Sequence, residues 1–168
     1  LTGHLVFSTL HTNDAAGAYA RLSDMGVESF LVASTVEAVM AQRLVRRLCM
    51  HCREPYAPDR DAMPADFPWD RLEDRPLYRK VGCRECRHVG YSGRMGIYEL
   101  LLTDNNIRQL AHDRASTWRI KQAAVRQGMV TLRDDGWRKA IEGVTTVDEV
   151  LRITKGDQDL AELDKLVH

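Results

Sequence analysis

The sequence has 168 residues, 44% of them hydrophobic and 29% charged, with 24 lysines and arginines against 24 aspartates and glutamates. That length supports one sizeable core or two small ones. Zero net charge argues against a dedicated nucleic-acid binder, which needs a basic excess, and no apolar run approaches the ~18 residues that span a bilayer.

There is no signal-peptide pattern. The chain starts at Leu1, without a Met, and runs almost at once into an apolar stretch, as a cut through a larger protein would. His4 to Leu10 is nearly continuous in apolar character and predicts a strand covered on both faces, as in a parallel sheet. Asn13 or Asp14 then caps a helix that carries Ala15, Ala18, Tyr19, Leu22 and Met25 at helical spacing and stops at Gly26. Ser29 caps a second predicted helix, Phe30 to about Met40, with Leu31, Val36, Val39 and Met40 as its apolar contacts. Residues 43–48 form a short predicted strand leading to the first cysteines.

All five prolines lie between residues 54 and 78. This stretch reads as an irregular, solvated excursion whose ends are clipped together by the cysteines on either side. Phe67 and Trp69 either anchor it or mark a surface that meets a partner. Gly90, Gly93 and Gly96 punctuate the loop after it, and residues 95–102 predict a strand. Four short helices follow, at about 104–112, 116–127, 131–142 and 146–154. Ser116, Thr131 and Thr146 are their expected N-caps, and Gly128, Gly143 and Gly156 lie past their ends. Thr146 with Glu149 has the capping-box pattern, and the charged last dozen residues are expected to fray.

The only four cysteines form two CxxC pairs, Cys49 with Cys52 and Cys83 with Cys86, thirty residues apart. Each pair places two thiolates on one turn, and two such turns complete a tetrahedral Zn²⁺ site. Such a centre carries a formal charge of −2, and cations flank both pairs: Arg46, Arg47 and Arg53 at the first, Arg79, Lys80, Arg84 and Arg87 at the second. Disulfides and free buried thiols are the competing readings. His51 and His88 could replace a thiolate, but with four cysteines available they read as bystanders.

His11 follows the predicted strand and precedes a helix start, where open α/β sheets bind ligands and a helix end favours anions. A phosphate role competes there with a histidine that simply satisfies backbone groups. Thr9 and Thr12 could donate to a phosphate oxygen, though threonine is also a good strand and capping residue; His4 lies at the wrong end of the strand and reads as structural. No GxxxxGK[ST] phosphate loop occurs in the sequence, and no Asp or Glu ends an apolar strand in the Walker-B manner.

The stretch Leu1-Thr2-Gly3-His4-Leu5-Val6-Phe7-Ser8-Thr9-Leu10-His11-Thr12-Asn13-Asp14-Ala15 closely resembles the histidine box of the secretion ATPases, the type II secretion and type IV pilus assembly motors. Residues 41–49, 90–100, 128–136 and 142–150 are similar to the same family's approach to its metal domain, exit from it and C-terminal helices. The resemblance covers nearly the whole chain outside the proline-rich excursion. It implies an α/β fold: the C-terminal part of a RecA-like P-loop NTPase domain, with an inserted tetracysteine zinc subdomain and a C-terminal helical subdomain. The expected division is a RecA-like part at 1–48, the zinc-binding subdomain at 49–89, and a strand plus helices at 90–168. It also implies a hexameric cytoplasmic motor, peripheral to the inner membrane, that uses ATP and Mg²⁺ and works with secretion or pilus platform proteins. By the same resemblance His11 would sit near the γ-phosphate with Thr9 and Thr12 beside it, and Walker A, the aspartate box and Walker B would precede residue 1. The chain alone is therefore expected to be inactive.

Retraction motors of the superfamily generally lack the four cysteines, which favours the assembly side. The alternative class is a zinc-ribbon adaptor that docks a membrane complex or nucleic acid. A zinc hydrolase needs an open metal position, and four thiolates leave none.

Overall fold

The computed structural model describes residues 3–154, an α/β arrangement of short helices and two small sheets. The described residues fall into two compact units, the first within Leu1–Gln42 and Tyr98–Thr131, the second within Arg43–Ile97 and Leu132–His168. Leu1 and Thr2 of the histidine-box stretch, the expected stop at Gly156 and the charged last dozen residues lie outside the described residues.

The first unit holds helices α1 (Gly17–Asp24), α2 (Ser29–Thr35), α4 (Asn105–His112) and α5 (Thr117–Arg126). The N-cap position of α1 is Ala16, which has no side-chain cap; Asp14 Oδ1 accepts the N–H of the first helical residue, Gly17, at 2.9 Å. Asp104 and Ser116 cap α4 and α5, accepting from Ile107 N at 2.8 Å and Arg119 N at 3.4 Å. Ala18, Tyr19, Val32, Ile107, Ile120 and Ala124 are buried; the helical periodicity that flags them turns them to one side.

Two expectations fail here. Residues 4–10 form no strand: Leu5 is 77%, Val6 78% and Phe7 88% exposed. A strand is held by its ladder, and among the described residues both sheets are two-stranded and neither includes this stretch. The second helix also ends at Thr35 rather than near Met40. Its N-cap is Glu28, not Ser29, and Val36 is already extended. Val39 and Met40 belong instead to a long strand, β1 (Ala38–Leu48), because pairing overrides the apolar spacing that reads as helix.

Strand β1 pairs with β4 (Tyr91–Leu102). Thr103 N donates to Glu37 O at one end, at 2.9 Å, and Cys49 N to Gly90 O at the other, at 3.0 Å, so the two run antiparallel. Ile97, Glu99 and Leu101 alternate inward while Tyr98, Leu100 and Leu102 face out, the period of two that a half-buried strand requires.

The second unit adds β2 (Glu54–Tyr56), α3 (Trp69–Leu72), β3 (Leu77–Arg79), α6 (Leu132–Ile141) and α7 (Val147–Ile153). The proline-rich excursion is exposed along most of its length, as expected, but it is not irregular throughout and Phe67 anchors it. Its ends pair as an antiparallel ribbon, Glu54 opposite Arg79 and Tyr56 opposite Leu77. Phe67, Leu72 and Leu77 pack with Trp137, Ala140, Ile141, Val147 and Val150 in one apolar core. Phe67 meets Trp69 and Trp137 edge-on, at centroid distances of 5.0 and 5.5 Å. Asp66 accepts from Arg133 and from the Trp137 indole N–H, the latter at 3.2 Å. The prolines set the chain direction between these anchors, and the apolar residues between them supply the burial.

Thr146 caps α7, accepting from Glu149 N at 3.2 Å, but the reciprocal half of the capping box goes elsewhere. The Glu149 carboxylate is fully buried and takes Arg46 at 2.7 Å and Arg152 at 2.6 Å. It also accepts the Arg46 backbone N–H at 3.0 Å, while Thr145 Oγ1 donates to Arg46 O at 2.8 Å. Arg46 in turn lies over the Tyr91 ring at 4.2 Å. This cluster ties α7 to the strand that leads into the first cysteine pair.

Candidate metal centre and the histidine segment

The four cysteines converge inside the second unit. Cys49 and Cys52 sit on the turn that ends β1, where Cys52 N and Arg53 N both donate to Cys49 O, at 3.3 and 3.0 Å. Cys83 and Cys86 bracket a single 3-10 turn, Arg84–Cys86. All four Sγ atoms lie within 4.8 Å of one another. The separations are 3.9 Å for Cys49–Cys83 and 3.8 Å for both Cys52–Cys86 and Cys83–Cys86. Four sulfurs held at about 2.3 Å from a common centre would be about 3.8 Å apart along each edge of a tetrahedron. The donor set therefore fits one tetrahedral metal ion, and the cysteines are free of disulfides.

Backbone amides complete the cradle. Cys83 N and Gly90 N both point at Cys86 Sγ, at 3.2 Å each, and Gly82 N at Cys52 Sγ, at 3.3 Å. These N–H groups pull the Cys86 thiol down to about 6, the Cys83 amide most strongly. Burial pushes the Cys52 thiol the other way, to about 12. The pair thus favours the Cys86 thiolate at neutral pH, and binding a metal ion displaces the Cys52 proton to solvent.

The geometry of the second loop depends on two glycines. Gly82 has φ +121° and Gly90 φ +80°; a Cβ would come within 2.7 Å of His88 O at the first and of Lys80 Cβ at the second. Arg87 and His88 also adopt left-handed backbone, at φ 52° and 61°, as the loop turns back so that Gly90 can reach the sulfur. The sequence reading placed Gly90 in a loop but not in this role; a glycine four residues past a CxxC is the available signal. His51 and His88 are exposed and are not part of the sulfur cluster.

His11 lies in the first unit, in the irregular segment that leads into α1, where it and Thr9 are exposed and Thr12 is half-buried. Thr12 Oγ1 donates to Asp14 O at 3.0 Å. Just beyond, a buried charge cluster holds the backbone. Lys121 Nζ lies 3.1 Å from Asp14 Oδ2 and 3.9 Å from Glu99 Oε2, and Glu99 Oε1 accepts the Ala15 N–H at 2.9 Å. The sequence reading missed Glu99 and Lys121. A legible signal existed in β4, where Glu99 takes the inward place between Ile97 and Leu101. A carboxylate on an inward apolar stripe requires a buried donor or cation.

Comparison with known proteins adds the following. The sequence profile described as "Type II/IV secretion system protein" matches residues 1–152. The chain is 52% identical over 155 residues to a type II secretion system protein E of Pseudomonas aeruginosa, covering 92% of this chain and 30% of that relative. It is 48% identical over 155 residues to the type II secretion system ATPase E of Vibrio cholerae, with coverage of 92% and 30%. It is 44% identical over 160 residues to the type IV pilus assembly ATPase PilB of Myxococcus xanthus, with coverage of 94% and 28%. The chain thus spans under a third of the length of these relatives.

Proposed function

Because the chain belongs to the type II/IV secretion system protein family, we propose that it works as the C-terminal part of an ATPase that powers type II secretion or type IV pilus assembly. The observation that carries this reading is the match itself: it runs through the histidine segment, the paired cysteines and the C-terminal helices, and relatives at 48% and 44% identity are named ATPases. In this reading the RecA-like core is completed by chain outside these residues, which contain no GxxxxGK[ST] loop. The working protein is a hexamer on the cytoplasmic side of the inner membrane, with platform proteins as partners. No helix among the described residues is long and apolar enough to cross a membrane.

The roles follow from chemistry. Phosphoryl transfer from MgATP needs backbone amides and a lysine around the β- and γ-phosphates, and a hydroxyl and an acid on Mg²⁺. This chain contributes His11 to that site, with Thr9 and Thr12 beside it. Cys49, Cys52, Cys83 and Cys86 hold a structural Zn²⁺ with no open position, so the metal supplies order rather than reactivity. By the family resemblance retraction motors generally lack the four cysteines, so this reading favours the assembly side.

The test is phosphate release by the intact ATPase and its variants. His11→Ala is expected to cut turnover sharply while the melting temperature stays near wild type. The 168-residue chain alone is expected to release no phosphate above background. Full turnover by a well-folded His11→Ala enzyme would return His11 to a structural role, and turnover by the chain alone would move the catalytic machinery into it.

A further inference from the structure

We propose that Glu99 and Lys121 are positioning residues for His11, a buried ion cluster that fixes the backbone through which the histidine reaches the nucleotide. The inference rests on the proposed role of His11.

The cluster joins three distant parts of the first unit: the segment before α1, the strand β4 and the helix α5. Lys121 is 3% exposed at its side chain, Glu99 0% and Asp14 19%. One ammonium faces two carboxylates, and both also accept backbone N–H groups, one just before α1 and one at its first residue. Asp14 Oδ1 takes the Gly17 N–H and Glu99 Oε1 the Ala15 N–H, each at 2.9 Å. Thr12 Oγ1 closes the turn onto Asp14 O at 3.0 Å. The backbone from Thr12 to Gly17 is thus held by bonds on the residues directly after His11. Removing Lys121 takes away an ammonium that lies 3.1 Å from one buried carboxylate and 3.9 Å from the other, which favours protonation of a carboxylate or opening of the segment.

A purely structural role would be a poor use of this chemistry. Apolar residues of similar size fill such a site at no greater cost to stability, because a buried ion pair gives back in attraction about what desolvation takes. What ionic bonds add is direction, since each fixes the angle as well as the distance of the group it holds. Here that directed hold falls on the histidine segment, whose preceding residues 4–10 have no ladder of their own.

The experiment uses the intact ATPase. Lys121→Met removes the cation, while Asp14→Asn removes one charge and keeps the oxygen that accepts the Gly17 N–H. Turnover should fall about tenfold in Lys121→Met, with KM for ATP within about twofold, since misplacing a transition-state group costs kcat more than binding. Asp14→Asn should show a smaller loss of the same kind. Hydrogen exchange at the Ala15 and Gly17 amides should quicken by about tenfold or more in Lys121→Met and by less in Asp14→Asn, which keeps the oxygen that accepts the Gly17 N–H, with α4 unchanged. Should Lys121→Met fail to fold, Asp14→Asn and Glu99→Gln carry the test. Wild-type kcat in well-folded variants of a protein in which His11→Ala is slow overturns the positioning role, as does unchanged exchange at Ala15 and Gly17. Full turnover by His11→Ala instead shows that the role given to His11 is wrong, and the positioning role falls with it.

Discussion

Trp137 and Lys121 are almost equally buried, at 1% and 2% exposure, yet they hold their units by different physics. Trp137 sits in an apolar core with Phe67, Leu72 and Leu77, in the unit that also holds the sulfur cluster built from two loops. Lys121 sits between two carboxylates that hold the start of a helix. Apolar contact is non-directional and tolerates small shifts, whereas ion pairs and amide–carboxylate bonds fix orientation and depend on every partner being present. The first unit is therefore expected to fail by loss of a charge, and the second by loss of packing or metal as well as of its own Glu149 charge. Each perturbation below separates the two.

The largest effect is expected from Phe67→Ala. Its ring packs edge-on against Trp137 and is 4% exposed, so truncation should cost about 3–5 kcal/mol. Denaturant unfolding followed by tryptophan fluorescence reads it. A loss below ~1 kcal/mol would show that the excursion stands apart from the core.

Acid comes next. Burial alone would raise the Glu149 carboxyl, but hydrogen bonds from Arg152 and Arg46 outweigh it and hold the group at about 2, below the ordinary 4.5. A carboxyl depressed on folding contributes stability that is present above its unfolded value and lost as pH falls through the folded one. The second unit should therefore lose stability between pH 4.5 and 2, by no more than about 3 kcal/mol. Arg46 and Arg152 are about half exposed, so solvent screening trims that figure. Glu149→Gln should flatten the melting temperature over this window. An unchanged acid slope would remove Glu149 as its source.

How much of this was legible in the sequence differs between the two units for the same reason. The cysteine pairs were read correctly as one cluster, because CxxC spacing is a local rule that needs no knowledge of the fold. The caps at Ser116 and Thr146 were legible for the same reason. Segments whose fate depends on distant partners were not. Residues 4–10 look like a buried strand yet Phe7 is 88% exposed, while the proline-rich stretch is mostly exposed as its composition suggests but also buries Leu72 and Leu77 beside the anchor Phe67. Composition gives the capacity for burial, and pairing partners decide whether it is used. Glu99 and Lys121 escaped because a charge within an amphipathic element reads as a solvated face until its opposite number, in a different element, is known.

The smallest effect belongs to a helix cap in the first unit. Asp104→Ala removes the acceptor of Ile107 N at 2.8 Å and should cost about 1 kcal/mol. Thermal melting of the variant reads it, and a melt indistinguishable from wild type would mean that solvent serves that N–H equally well.

The most direct test of the account is amide hydrogen exchange on the zinc-loaded chain before and after chelation. Gly82 N and Gly90 N donate to sulfur at 3.3 and 3.2 Å, so stripping the metal should release both and quicken exchange across the two cysteine loops. The amides of α4, in the first unit, should be unchanged, and those of α6 around Trp137 should slow the spread of the opening because Phe67 and Leu77 still pack there. Exchange at Gly82 and Gly90 that is identical with and without chelator would contradict a metal held by Cys49, Cys52, Cys83 and Cys86.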